Sequence, residues 1–320
     1  MVNMTKSGKF RYHLLLLLVV CVALAGFSLS TAAQIPQITY SITPSHVYQA
    51  TEEFRLQLEN LGLIDRQIYE SAKPDRALRH PRHVIQKVRE CHTILSKVLL
   101  ARDLEPEPVP GLFSSREIRP ADVRNGVQHL LKETEKLGGK ISQDVPFVDG
   151  KLPGDVYNNL KRICEAVNIQ TVASDVYQVA VAVRENMENI AHSQGYKISY
   201  VPDDLGEKTV KDLYLETWAL LDDMRNLALI PDYAIPGGVI IPNKQDENKV
   251  NMRDVMSLMN DALSGTDAIK YTLNVNEETV LPGYSEGKTE KDVFGEISNI
   301  RFIVNRVIEF EAALDKDGAE

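Results

Sequence analysis

Three histidines, His80, His83 and His92, form the densest group of metal-type ligands in the chain. A zinc or copper site draws on neutral imidazoles, usually with further ligands close by. His80 and His83 stand three apart across what reads as a helix start, and His92 lies nine beyond His83. His83 also fills a slot that aspartate takes elsewhere in the chain, so capping alone accounts for it. Cys91-His92 has no cysteine three positions earlier, which excludes covalent c-type haem attachment. The Glu-x-x-His pair of carboxylate-bridged di-iron bundles is absent. So are G-x-S-x-G, H-E-x-x-H, a phosphate-cradling glycine loop and a Cys-x-x-Cys pair. Gly237-Gly238 follows Pro236 without the strand–helix context that a phosphate loop requires. No catalytic, cofactor-binding or metal site is expected, and no enzyme activity.

A sharper pattern is a recurring acid. His46, His83, Asp122, Asp155, Asp175, Asp212, Asp254 and Asp292 each precede an apolar anchor: Val47, Val84, Val123, Val156, Val176, Leu213, Val255 and Val293. Several carboxylates gathered at one end of a bundle would make a cation or amine site. Taken singly, each is a helix-start cap, and every copy stands where capping would put it. Capping is the preferred reading. An aromatic follows the anchor in five copies: Tyr48, Tyr157, Tyr177, Tyr214 and Phe294. These rings either line a groove or, more commonly, seal the end of a core.

The elements that carry these residues follow from local chemistry. Thr43, Thr209, Asn251 and Thr289 are N-cap residues, whose side-chain oxygens accept a free backbone N–H. Pro44, Pro81, Pro120 and Pro153 take the first helical position, where no hydrogen bond is lost. Aspartate at the third position bonds back to the cap residue and complements the helix dipole. Beyond the anchors, core-type residues, mostly apolar with an occasional threonine, fall at plus 4, 7, 11 and 14, and the helix from Val156 is shorter. Val84, Val88, Cys91, Leu95 and Val98 make one such series, and Val293, Ile297, Ile300, Val304 and Val307 another. This is a heptad seam, the pattern of helices packed at shallow angles.

Eight anchors in one register identify an internal repeat. Each unit is one helix followed by a linker rich in Pro, Gly and polar residues. Such a linker is long enough to return along its helix, so spacing alone leaves neighbours parallel or antiparallel. The one short interval, Val156 to Val176, divides the repeats four and four. The expected fold is all-α: tandem four-helix up-and-down bundles built from eight single-helix repeats with long extended linkers. The expected boundaries are 34–170 and 171–320. One continuous eight-helix array is the runner-up.

Residues 1–33 read as a secretory signal. Lys6, Lys9 and Arg11 precede the apolar run Leu14 to Leu29, and Thr31-Ala32-Ala33 is a small-residue cleavage site. An uncleaved anchor is the alternative. The expected location is periplasmic or secreted. Cys91 and Cys164 then remain, at plus 7 and plus 8 of their repeats. Thiols at similar heights in an oxidising compartment can pair, or stay as two small buried residues.

The chain of 320 residues has a net charge of −9, and removing the leader leaves −12. A body this acidic argues against nucleic-acid binding and against electrostatic attachment to anionic lipid. No membrane contact is expected after signal cleavage. The expected function is that of an exported interaction or scaffold protein with a protein partner. A small-ligand-binding or sensor-type helical bundle is the alternative.

Overall fold

A computed structural model describes residues 41–108, 116–140, 144–198, 200 and 206–317. The expected signal segment lies outside the described residues. From Ile42 onward the described residues form one compact unit. They hold helices and turns but no strand; one isolated bridge joins Ile64 and Val167. The helices are α1 (Pro44–Asn60), α2 (Arg66–Ser71), α3 (Pro81–Leu100), α4 (Pro120–Lys136), α5 (Pro153–Ala166), α6 (Ala173–Ser193), α7 (Val210–Leu227), α8 (Met252–Thr272) and α9 (Glu290–Asp317). Among the described residues none is long and apolar enough to cross a membrane.

The recurring residue caps the start of each of the eight long helices. The N–H groups of Arg119, Leu152, Val172, Thr209, Asn251 and Thr289 each donate to the aspartate three residues on, at 2.8 Å. His46 and His83 do the same through Nδ1, accepting from Thr43 at 3.2 Å and His80 at 3.0 Å. All eight anchors are buried. Within α8, which runs through Gly265 to Thr272, that glycine does not stop the helix. A Cβ on Gly265 would stand 2.7 Å from Met224 Cε. The glycine is there to let α7 approach, not to stop the helix.

Packing sorts the long helices into two quartets. α1 packs on α4 and α5, and α3 packs on the same two. α6 packs on α8 and α9, and so does α7. Each quartet encloses its own apolar core. In both, the first and second helices face each other across a diagonal, as do the third and fourth.

The up-and-down order expected from the sequence does not hold. Pro44, Pro81, Pro120 and Pro153 meet with their anchors around one small apolar cavity. All four helices of the first quartet therefore start at the same end. The reason lies in the connections. Residues 61–80, 101–119 and 137–152 are long enough to return over the length of a ~30 Å helix, whereas antiparallel neighbours use only about 2–8 residues. The second quartet obeys the same rule. The Lys288 N–H at the start of α9 donates to Ser174 Oγ at the start of α6, at 3.1 Å.

The exception is residues 167–172, between α5 and α6. They are too few to return, so α6 begins where α5 ends and its quartet runs the opposite way. Arg253 at the start of α8 accordingly donates to the carbonyls of Glu165 and Ile169 at the end of α5, at 3.3 and 2.8 Å.

Candidate functional site

The two quartets meet where α3 packs on α8, and this contact is polar. Arg79 and Asp261, both almost fully buried, form an ion pair at 2.5 Å. Arg79 also pairs with Asp75 and lies over the Tyr157 ring, 4.2 Å from its centre. Burial opposes the Arg79 charge, but Asp261, Tyr157 and Asp75 outweigh it and raise the pKa. Lys87 pairs with Glu90 at 2.6 Å, and Asn260 bridges Glu90 and Arg89. Among the described residues Arg89 bonds to no carboxylate, only to the amides of Gln86 and Asn260, and burial lowers its pKa to about 10.

Beside this contact lies a cleft of about 1060 Å³. Its walls are α3 and α5 on one side, α7 and α8 on the other, with the 72–80 and 239–245 connections across its ends. The lining carries Lys73, Arg76, Arg79, Lys87, Lys161 and Arg253 against Asp75, Glu90, Glu165 and Asp254. The balance is positive on a strongly acidic chain. Lys87 and Arg79 spend their charge inside the interface. Lys161 donates to the Lys73 carbonyl at 2.8 Å and reaches Glu165 at 3.4 Å. Arg76 is exposed, and no ion pair of it is found among the described residues. Arg253 is held by two backbone carbonyls, and its buried Nε has no hydrogen-bond partner.

The residues singled out from sequence are only partly brought together. His46, His83, Asp122 and Asp155 share one end of the first quartet, but each is turned back to its own cap. Asp175 gains a distant partner, the Lys97 ammonium at 2.5 Å. Asp212, Asp254 and Asp292 mark helix starts in the second quartet; Thr209 bonds hold the Asp212 pKa down and Thr289 bonds that of Asp292. Cys91 of α3 and Cys164 of α5 are joined as a disulfide, with Cα atoms 5.5 Å apart. The histidine trio is not a cluster. His80 and His83 stay together at the start of α3, where burial and Arg82 lower both pKa values. His92 faces His129 of α4 instead. Among the described residues, Glu107, His129 and Glu133 form a group able to converge on a metal ion.

The rings after the anchors do not line the cleft as a set. Tyr157 and Tyr214 border it. Tyr48, Tyr177 and Phe294 lie instead under the ammonium groups of Lys151, Lys288 and Lys208, at 4.3, 4.3 and 4.2 Å from the ring centres.

The sequence reading missed a paired grip. Ser45-His46-Val47-Tyr48-Gln49 holds the connection before α5: Ser45 accepts the Lys151 N–H at 3.1 Å, and Gln49 donates to the Val145 carbonyl at 2.7 Å. Ser174-Asp175-Val176-Tyr177-Gln178 holds the connection before α9 in the same way. Ser174 takes Lys288, and Gln178 donates to the Pro282 carbonyl at 2.6 Å. The signal was the shared Ser-x-Val-Tyr-Gln and, downstream, the shared acid-Gly-Lys at Asp149-Gly150-Lys151 and Glu286-Gly287-Lys288.

No protein-family model matches the chain, and no curated protein or solved structure matches it.

Proposed function

We propose that the protein is an exported, non-enzymatic interaction protein that receives an acidic segment of a protein partner in the cleft between its two helix groups. In this reading the groups are tandem four-helix bundles, each with its helices parallel, both grown from one helix-plus-linker unit. The identical grip on Lys151 and Lys288 supports common origin. The leader and the Cys91–Cys164 bridge support a periplasmic or secreted location, since structural disulfides persist in oxidising compartments.

One observation carries the binding reading. The cleft concentrates cationic side chains on an acidic chain, and among the described residues Arg76 has no ion-pair partner. A carboxylate-rich segment would complete that charge and take the bidentate geometry that arginine offers.

The test is fluorescence anisotropy of the full chain with a labelled glutamate-rich peptide and a lysine-rich control. The acidic peptide should bind, weaken with salt, and lose most of its affinity to the Arg76→Glu/Lys161→Glu variant. Equal binding of both peptides, or none, rejects the reading. A second reading, a small carboxylate ligand, is favoured by the cleft volume, which is close to that of small-molecule sites. It would show as a melting shift with citrate or succinate where the peptide has no effect.

A further inference from the structure

The imidazoles of His92 and His129 meet edge on, away from the cleft. Their Nε2 atoms are 3.1 Å apart and their ring centres 5.0 Å. The separation of the ring centres exceeds that of the nitrogens by nearly the two ring radii, so the nitrogens face each other. Two nitrogens bound at ~2.1 Å to one ion of tetrahedral or octahedral geometry stand ~3.0–3.4 Å apart, so the pair already has the spacing of a chelate.

Carboxylates complete the set. Glu133 lies one turn beyond His129 on α4, and Glu107 comes from the connection after α3. Ligand atoms of Glu107, His129 and Glu133 lie within 4.8 Å of one another. A common ion needs at most ~4.2 Å between ligand atoms, so a small shift closes these three on it; His92 stands outside that group and joins through its 3.1 Å contact with His129 Nε2. Glu133 is fully buried; its Oε2 accepts the Glu107 N–H at 3.2 Å, which fixes that connection to the helix. Its Oε1 is buried with no donor aligned on it as a hydrogen bond, although the Lys136 ammonium is 2.7 Å away. Lys136 also pairs with Glu107 at 3.2 Å. A single ammonium thus sits between the two carboxylates, where a cation is wanted.

We infer that His92, His129, Glu133 and Glu107 form a binding site for a divalent transition-metal ion of the zinc class. Two imidazoles with two carboxylates suit Zn²⁺ and its neighbours better than Ca²⁺ or Mg²⁺, which take oxygen ligands. On binding, Lys136 moves out to solvent. The imidazole whose Nε2 carries the shared proton changes tautomer and remains neutral. For His92 that proton goes to Nδ1, where Ser96 Oγ lies 3.3 Å away to accept it. The half-exposed Glu107 and Lys136 give the ion its way in. Such an ion would tie α3 to α4, as the disulfide ties α3 to α5.

The experiment is equilibrium dialysis of the full chain against Zn²⁺ with metal counting, together with the visible spectrum of the Co²⁺ form. One equivalent of Zn²⁺ per chain is expected. Lys136→Gln should tighten binding at least tenfold, because the competing ammonium is gone. His129→Gln and Glu133→Gln should each weaken it at least tenfold. A folded Lys136→Gln variant keeps the test decisive if a loss variant fails to fold. Absence of stoichiometric uptake by both wild type and Lys136→Gln overturns the proposal. So does uptake that His129→Gln leaves unchanged, since the ion would then be held by other histidines. Neither outcome depends on peptide binding in the cleft.

Discussion

The ammonium of Lys288 lies 4.3 Å from the centre of the Tyr177 ring, and Lys151 stands at the same distance over Tyr48. In each case the lysine precedes the cap of the fourth helix of a quartet, and the tyrosine follows the anchor of the first. The contact closes the ring of helices at its starting end. A cation over an aromatic face at a partly exposed site contributes ~0.5–1 kcal/mol. A double-mutant cycle of Lys288→Met with Tyr177→Leu in urea unfolding should return a coupling of that size. The parallel cycle at Lys151 and Tyr48 should agree with it within error. A coupling indistinguishable from zero at both sites would mean the rings only pack.

Asp261 is the partner that lets Arg79 stay buried in the contact between quartets. Removing one member of a buried pair costs ~3–5 kcal/mol, mostly because the other charge is left behind. Asp75 remains beside Arg79, so Asp261→Ala should cost about 3 kcal/mol in urea unfolding. Replacing both, with Arg79→Met and Asp261→Leu, should recover most of the loss.

Asp267, near the end of α8, answers pH in the direction opposite to an ion-paired acid. Burial pushes its carboxyl up to about 6 from an ordinary 3.8, against bonds from Thr279 and Asn186 that favour the charge. Between those values the folded chain keeps a proton that the unfolded chain has released. Stability from this group is full below the lower value and is lost as pH rises through about 6. The loss is at most about 3 kcal/mol. Asp267→Asn should therefore flatten the fall in stability between pH 4 and 7. Denaturant midpoints at four pH values would check it; an unchanged slope would count against the assignment.

The Cys91–Cys164 bridge spans a sequence separation of 73. Closing a loop of that length in the unfolded chain contributes roughly 4 kcal/mol on the chain-entropy model, commonly less in practice. The Cys91→Ala/Cys164→Ala variant should lose about 2–4 kcal/mol. Mass spectrometry of the purified chain without reductant should find neither thiol free to alkylate.

Helix starts were readable in the sequence because capping is local. Cap, proline, acid and anchor lie within six residues, and their bonds close inside that window. Helix direction was not readable in the heptads, which look the same either way. Linker length left both directions open, since every connection but one is long enough to return, and the up-and-down expectation took the antiparallel choice where the first quartet takes the parallel one. The buried charges of α3 were missed for a related reason. Lys87, Arg89 and Glu90 lie off the seam of their own quartet, so periodicity assigns them to solvent; only the second quartet buries them. His129 was invisible beside His92 because 37 residues and a change of helix separate them. The Ser-x-Val-Tyr-Gln pair was visible, and comparing the two halves directly would have found it.

The six residues 167–172 have an effect that reaches the whole molecule. Each parallel quartet lines up four peptide dipoles head to head, equivalent to roughly two positive charges at one end and two negative at the other. Stacked the same way round, two such groups would behave like bar magnets forced side by side with like poles together. The brief connection turns the second over, so north lies beside south and the far field largely cancels. Lengthening it with a dozen flexible residues would remove the constraint and leave the charged contact between α3 and α8 to hold the two poles in opposition by itself.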